Sequence, residues 1–261
     1  MPELQLLSSA YFEDYKKSLK TNFKEAFRSI QLKPMDSDAF KYYNSIAVAY
    51  SSRIEGEKME AEEYLKHKSL SIELSEYLVE KPNDLYEAYL FAQREKLKFD
   101  NFFKVHSILS KSLLPKDQQG RMRFGQKAIS TKKDGKITYE ACQASDIPTE
   151  FRKLFEDIDY LLKKELTLEE SFYYASYIHL VFVKIHPFND GNGRSARLLE
   201  KWFLSRKLDI AVWSINSEKY YHDHLSEYYK NLEDVGFFYE NLDYGKANAF
   251  LGMLAEAVAY E

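Results

Sequence analysis

The stretch from Thr167 to Pro187 constrains the fold more than any other part of the sequence. Thr167-Leu-Glu-Glu170 places a hydroxyl three residues before a carboxylate. That capping-box pattern opens a helix by satisfying two of its free N–H groups reciprocally. Phe172, Ala175, Ile178, Phe182 and Ile185 then recur at helical spacing with no polar break on that face, as in a central, buried helix. Pro187 disfavours helical angles at the preceding residue, so the helix ends at His186. The punctuation agrees with a helical fold. Only nine Gly and six Pro occur in 261 residues, about half the usual share. All-β sandwiches and barrels use those residues heavily in tight turns, so an all-β fold is disfavoured.

Other helices follow from the same signals. Residues 36–55 read as a helix that Asp36, Ser37 or Asp38 can cap and that Gly56, in a left-handed conformation, would stop. Residues 58–80 and 83–112 are expected to be helices ending near Pro82 and Pro115. The stretch from Gly120 to Gln143 differs, with two short β-prone runs around Lys132-Lys133-Asp134-Gly135. Asp-Gly between such runs is a hairpin signal. Helices resume at 148–163, begin again near Gly193, and are expected over 217–232 and 236–258.

Composition narrows the class. With 45% hydrophobic and 16% aromatic residues the chain can build a real core, which argues against disorder. A net charge of −4 gives no chain-wide footprint for nucleic acid. The single Cys142 excludes an intrachain disulfide and a cysteine-rich zinc site. No basic-then-apolar leader is readable, and no apolar run reaches the roughly eighteen residues of a membrane span. The expectation is a cytoplasmic protein without membrane or nucleic-acid partners.

Between the helices lies His186-Pro-Phe-Asn-Asp-Gly-Asn-Gly-Arg-Ser-Ala-Arg197. Small residues at a helix N-terminus let backbone N–H groups converge on an anion, which the helix dipole also favours. Arg194 and Arg197 share one face of the first turn. Cations there oppose the dipole by roughly 0.3–1 kcal/mol each, unless a polyphosphate or carboxylate neutralises them. Asp190 suits Mg²⁺, which commonly binds one or two carboxylates plus substrate phosphates. His186 has the side chain most suited to general-base work near neutral pH. Each part alone has a plainer reading: a helix-capping His, an ordinary turn, a solvated arginine face. Together, within twelve residues, they describe a phosphoryl- or nucleotidyl-transfer site.

His186-Pro-Phe-x-Asp-Gly-Asn-Gly-Arg-x-x-Arg197 resembles the signature of the Fic family at every defining position. Ala175-x-x-x-His179-x-x-Phe182-x-x-Ile185 is similar to the family's central helix, and Gly120-Arg-Met-Arg123 resembles the start of its β-hairpin flap. The resemblance covers roughly residues 36–232 and implies a mainly α fold, a Fic-like helical bundle with one hairpin flap. Residues 1–95 would be an N-terminal helical region with an inhibitory helix at about 37–56, residues 96–215 the Fic core with its flap at about 120–143, and residues 216–261 C-terminal helices packing on the core.

The resemblance also implies an activity, transfer of AMP from ATP to a hydroxyl side chain of a target protein. His186 would take the proton of the attacking Ser, Thr or Tyr, and Asp190 would hold Mg²⁺ against the phosphates. Gly191, Asn192 and Gly193 would cradle the phosphates, Arg194 would pair with them, and Arg197 would position the γ-phosphate. Phe188 would point inward and anchor the loop, and Tyr221 falls in the adenine-pocket region. The flap, including Gly125, Gln126, Lys127, Ala128 and Ile129, would bind the target segment as an added strand. The chain itself is a second candidate substrate, and monomer and homodimer are both open.

Ser51-Ser-Arg-Ile-Glu55-Gly56 matches the family's inhibitory pattern, (S/T)xxxE(G/N). The residues alone point the same way. Glu55 at a helix end and Arg197 at a helix start are each misplaced with respect to the dipole, and pairing them relieves both. The reading is an autoinhibited adenylyltransferase. Rival readings are a de-AMPylase in which Glu55 positions water, a transferase of another phosphate-containing group, and a non-catalytic interaction module. A DNA-binding regulator lacks a basic helix-turn-helix, and a zinc hydrolase lacks HExxH.

Overall fold

A computed structural model of the chain describes residues 4–130 and 137–260. Among them are twelve α-helices and one two-stranded sheet. Helices α1 (Phe12–Ser18) and α2 (Phe23–Gln31) lead into α3 (Ser37–Ile54). The side chain of Asp36 caps α3 by accepting the Ala39 N–H at 2.8 Å. At the other end Gly56 has φ of 86°. Its N–H donates to Arg53 O and that of Glu57 to Ser52 O, the paired bonds of a Schellman turn.

The helix expected over 58–80 is instead two. Helix α4 (Ala61–Leu70) stops at Ser71, which takes φ of 54°, and α5 (Glu76–Arg94) follows. Pro82 does not end a helix but sits buried inside α5. An interior proline costs about 3 kcal/mol or more. Burial of Val79, Leu85, Tyr86, Ala88 and Tyr89 on the same helix outweighs it. The helix expected over 83–112 divides as well, because Glu95 turns extended and its carbonyl is held by Trp202 and Arg206. Helix α6 (Phe99–Leu109) continues beyond that break.

Strands β1 (Ala128–Ser130) and β2 (Ile137–Glu140) pair antiparallel, with Ile129 opposite Tyr139. The expected Lys132–Gly135 turn lies outside the described residues. On the far side of β2, the Glu140 N–H donates to Phe237 O at 2.7 Å, so β1 is the sheet's outer edge.

Helices α7 (Ile147–Lys163), α8 (Leu168–Ile185) and α9 (Asn192–Lys207) form the middle of the molecule. The Thr167–Glu170 capping box is present as predicted. Helix α8 is buried on every side from Ser171 to Ile185, as expected of a central helix, because α1, α7, α9 and α12 surround it. The helix expected over 217–232 breaks at His224 into α10 (Ser217–Asp223) and α11 (Leu225–Glu233). Of the helix expected over 236–258, only α12 (Asn248–Ala257) forms; Gly236 takes φ of 131° and two short 3-10 turns fill the interval. One contiguous core runs from Leu7 to Val258 and draws on all three regions marked out in the sequence. No helix among the described residues is long and apolar enough to cross a membrane.

Candidate active site

The site is built on the C-terminal end of α8, whose last carbonyls need partners outside the helix. Val183 O would ordinarily accept from the residue four positions on, but that residue is Pro187, which has no N–H. The flap supplies the missing donors. The Tyr139 hydroxyl lies 2.9 Å from Val183 O, and the Cys142 N–H donates to Lys184 O at 3.4 Å. Arg123 donates from its guanidinium to His186 O at 2.8 Å and from its N–H to Pro187 O at 2.9 Å. The same buried guanidinium holds Gly125 O and Cys142 O, fastening the hairpin's two roots together.

His186 terminates α8 in the left-handed region, at φ of 51°. Its Nδ1 lies 3.0 Å from the Tyr139 hydroxyl and 3.3 Å from Val183 O. Burial, assisted by the positive charges of Lys127 and Arg123, pulls its pKa down to about 3. The imidazole is therefore neutral at physiological pH and able to accept a proton.

Phe188 is fully buried, as expected of a loop anchor, and stacks 3.6 Å from His106. Asn192 turns its side chain inward. Its side chain donates to Phe188 O at 2.8 Å and accepts the Phe188 N–H at 3.0 Å, so the amide closes the loop on itself. Asp190 is exposed, and one carboxylate oxygen accepts the Gly191 N–H at 2.6 Å. His106 was not anticipated. Its Nδ1 accepts the Gly120 N–H at 3.0 Å, so Nε2 carries the proton and donates it to Asp190 O at 2.9 Å. This histidine fixes the loop's far side. Its only sequence signal is a polar residue on the apolar face of α6, among Phe99, Phe102, Phe103 and Leu109.

At the start of α9 the expected pairing is in place. Arg197, 1% exposed, donates to Glu55 Oε1 at 2.8 Å. It also donates to the Ser51 hydroxyl at 2.9 Å and Ser51 O at 3.1 Å, with the Tyr228 hydroxyl at 3.4 Å. Burial opposes the guanidinium's charge, but Tyr228 and Glu55 beside it outweigh burial and hold it charged. A Cβ on Gly193 would lie 2.3 Å from Glu55 Oε1. The carboxylate thus rests against bare backbone in the first turn of α9, where an anion is favoured.

A second carboxylate joins it. Glu57 Oε1 accepts from Arg194 at 3.0 Å and from Lys81 at 3.1 Å. The Schellman turn at Gly56 brings Glu57 back toward α9, a consequence of three-dimensional geometry that the linear pattern did not expose. Both arginines of the loop are therefore matched by carboxylates from the end of α3. The Arg194 Nε is buried and has no hydrogen-bond partner among the described residues.

The flap residues lie beside the loop. Lys127 donates its ammonium to Asn189 O, while Gly125, Gln126 and Ala128 are exposed and Ile129 is half-buried. Tyr221 is placed elsewhere than an open adenine pocket. It is fully buried, and its hydroxyl donates to Glu200 at 2.9 Å. Glu200 also meets His179, which reaches the Tyr228 hydroxyl at 3.0 Å, so Tyr221 stands behind Arg197 in a buried polar chain.

A model of the Fic/DOC family matches residues 96–204. Over those residues the chain resembles the Fic/DOC family. The fold agrees with solved structures that carry the Fic name. A Fic family protein from Desulfovibrio desulfuricans superposes with a TM-score of 0.73 at 19% identity, covering 99% of this chain and 75% of that one. A Fic domain containing signaling protein from Bacteroides thetaiotaomicron gives 0.71 at 16% identity, covering 92% and 94%. Fic-1 from C. elegans gives 0.62 at 16% identity, covering 96% and 70%. At such identities the likeness establishes the fold. No curated protein matches the chain. The Fic segment contains the flap and His186 through Arg197, whereas Glu55 and Glu57 come from outside it.

Proposed function

We propose that the protein is an adenylyltransferase that moves AMP from ATP to a hydroxyl side chain of a target protein, held inactive by Glu55. The observation that carries this reading is the placement of the Glu55 carboxylate on the backbone of Gly193 and the guanidinium of Arg197. A carboxylate there occupies the place a phosphate group would take, so the same geometry supports both an anion site and its blockade.

In the active state Arg197 and Arg194 would neutralise the triphosphate, and the backbone N–H groups of the first turn of α9 would orient it. The hydroxyl oxygen of the target attacks the α-phosphorus, a new P–O bond forms, and pyrophosphate leaves. Neutral His186 accepts the hydroxyl proton during attack. Positioning and charge neutralisation supply most of the rate in such a transfer. Asp190 fits a Mg²⁺ site of the usual one-carboxylate kind, with one oxygen held by Gly191 and the residue exposed. A bound Mg²⁺ would contribute charge neutralisation at the phosphates. The edge of β1 would hold the target backbone, since the opposite edge of the hairpin meets Phe237.

The test is self-labelling with ATP carrying a labelled α-phosphate. Glu55→Gly should label strongly, wild type weakly, and Glu55→Gly/His186→Ala not at all. Equal labelling of wild type and Glu55→Gly removes the inhibitory role of Glu55.

A further inference from the structure

The Fic-segment loop contains one polar contact that the reading above leaves without a role, the Tyr139 hydroxyl between Val183 O and His186 Nδ1. We propose that Tyr139 is a positioning residue: it fixes His186 in the Nδ1–H tautomer, leaving Nε2 bare as the atom that accepts the substrate proton. This rests on the assignment of His186 as the base.

The argument begins with Pro187. Because a proline follows His186, Val183 O has lost its helical donor. An unsatisfied buried carbonyl costs roughly 1–3 kcal/mol, and the Tyr139 hydroxyl is 2.9 Å away. A hydroxyl has a single proton. Directed at Val183 O, that proton is unavailable to His186. The hydroxyl oxygen then faces His186 Nδ1 at 3.0 Å with lone pairs only, and can hold it only by accepting. Nδ1 must carry the hydrogen, and Nε2 must be free.

The surroundings reinforce this arrangement. Tyr139 is 4% exposed, and Lys184 places its ammonium 4.1 Å above the ring. Burial raises the phenol's pKa well above its ordinary value, so the hydroxyl keeps its proton. The charged groups that bear on His186 are Lys127, Arg123 and Glu55; the two cations add to burial in keeping the ring neutral. Tyr139 lies on β2, opposite Ile129 of β1. The hairpin that offers an edge to the target therefore also carries the group that sets the base.

The direct test is ¹⁵N NMR of the full-length wild-type protein labelled at histidine, with His186 assigned by its loss in His186→Ala. Protonated Nδ1 and bare Nε2 are expected, and an Nε2–H tautomer overturns the proposal. The second test replaces Tyr139 by Phe in the Glu55→Gly protein, which keeps the ring and its packing. The turnover number should fall at least about tenfold, part of the 10²–10⁴ a positioned base contributes, with KM for ATP within twofold. An unchanged turnover number overturns the positioning role, as does a parallel rise in KM. The NMR result stands whether or not AMP is transferred. Absence of labelling in Glu55→Gly would defeat the adenylyltransferase reading without deciding the tautomer.

Discussion

Removal of the Glu55 carboxylate should change stability and nucleotide affinity by linked amounts. The pair with Arg197 spans 2.8 Å, with the Arg197 side chain 1% and the Glu55 side chain 22% exposed. Deleting one partner of a fully buried pair costs roughly 3–5 kcal/mol, because the other charge is left uncompensated. Here Arg197 retains the Ser51 hydroxyl, Ser51 O and Tyr228, and Glu55 is partly solvated, so about 2 kcal/mol is the reasoned loss for Glu55→Gly. For a chain of this size each kcal/mol moves Tm by about 2–4 °C, which gives a drop of about 4–8 °C without nucleotide. In wild type a triphosphate must first displace that contact. The same 2 kcal/mol therefore weakens its binding about 30-fold relative to the variant. Scanning calorimetry and titration with Mg²⁺ and a non-hydrolysable ATP analogue measure the two quantities. Equal nucleotide affinity in the two proteins refutes the idea that the carboxylate occupies the phosphate position.

Glu57→Gln should raise affinity for the same analogue a further roughly 2- to 5-fold in the Glu55→Gly protein, about 0.4–1 kcal/mol for a partly exposed contact, measured by the same titration. Gly193→Ala should lower Tm in wild type, because its Cβ would lie 2.3 Å from Glu55 Oε1. It should lower Tm less in Glu55→Gly, and a double-mutant cycle of melting temperatures tests that coupling. His106 has its pKa lowered to about 4, chiefly by burial. Below its ordinary value near 6.5 the unfolded chain binds a proton that the folded one refuses, so stability falls as pH drops through 6.5 toward 4. At pH 5 the loss from His106 is about 2 kcal/mol relative to pH 7. Urea unfolding of wild type and His106→Gln at both pH values should show that share of the slope vanish in the variant.

The elements legible in the sequence were those fixed by local chemistry. The Thr167 capping box, the Asp36 cap, the Gly56 stop and the Pro187 termination each act within four residues, and each is in the structure. The features that escaped depend on distant partners. Pro82 looked like a helix end, but core burial of its neighbours retains it within α5. Glu95 looked helical until Trp202 and Arg206 claimed its carbonyl. At the site, the motif named the residues from His186 to Arg197 and left out those that brace them. His106 sits about eighty residues upstream, and Glu57 needed the Schellman turn to face Arg194. Tyr139 was one of 21 tyrosines, with nothing local to single it out. Tyr221 was placed in a nucleotide pocket by likeness alone, whereas a buried partner, Glu200, takes its hydroxyl.

Helix α3 is not an appendage laid over the site. Phe40, Ala47, Val48, Ala49 and Ile54 are buried in the common core, and the helix packs against α4, α5 and α10. Withdrawing it would expose side chains worth roughly 1.5–3 kcal/mol for each large one, comparable in sum to the whole stability of a typical domain. Under the proposed inhibition by Glu55, departure of the helix is therefore a costly way to free the site. Relief would be confined to the turn after α3, whose Glu55 and Glu57 side chains make the contacts with Arg197 and Arg194. The natural clock for such a change is that of side-chain and turn motion, far faster than local unfolding. If Glu55 blocks the site as proposed, a stimulus that relieves it would act on that turn rather than on the whole helix.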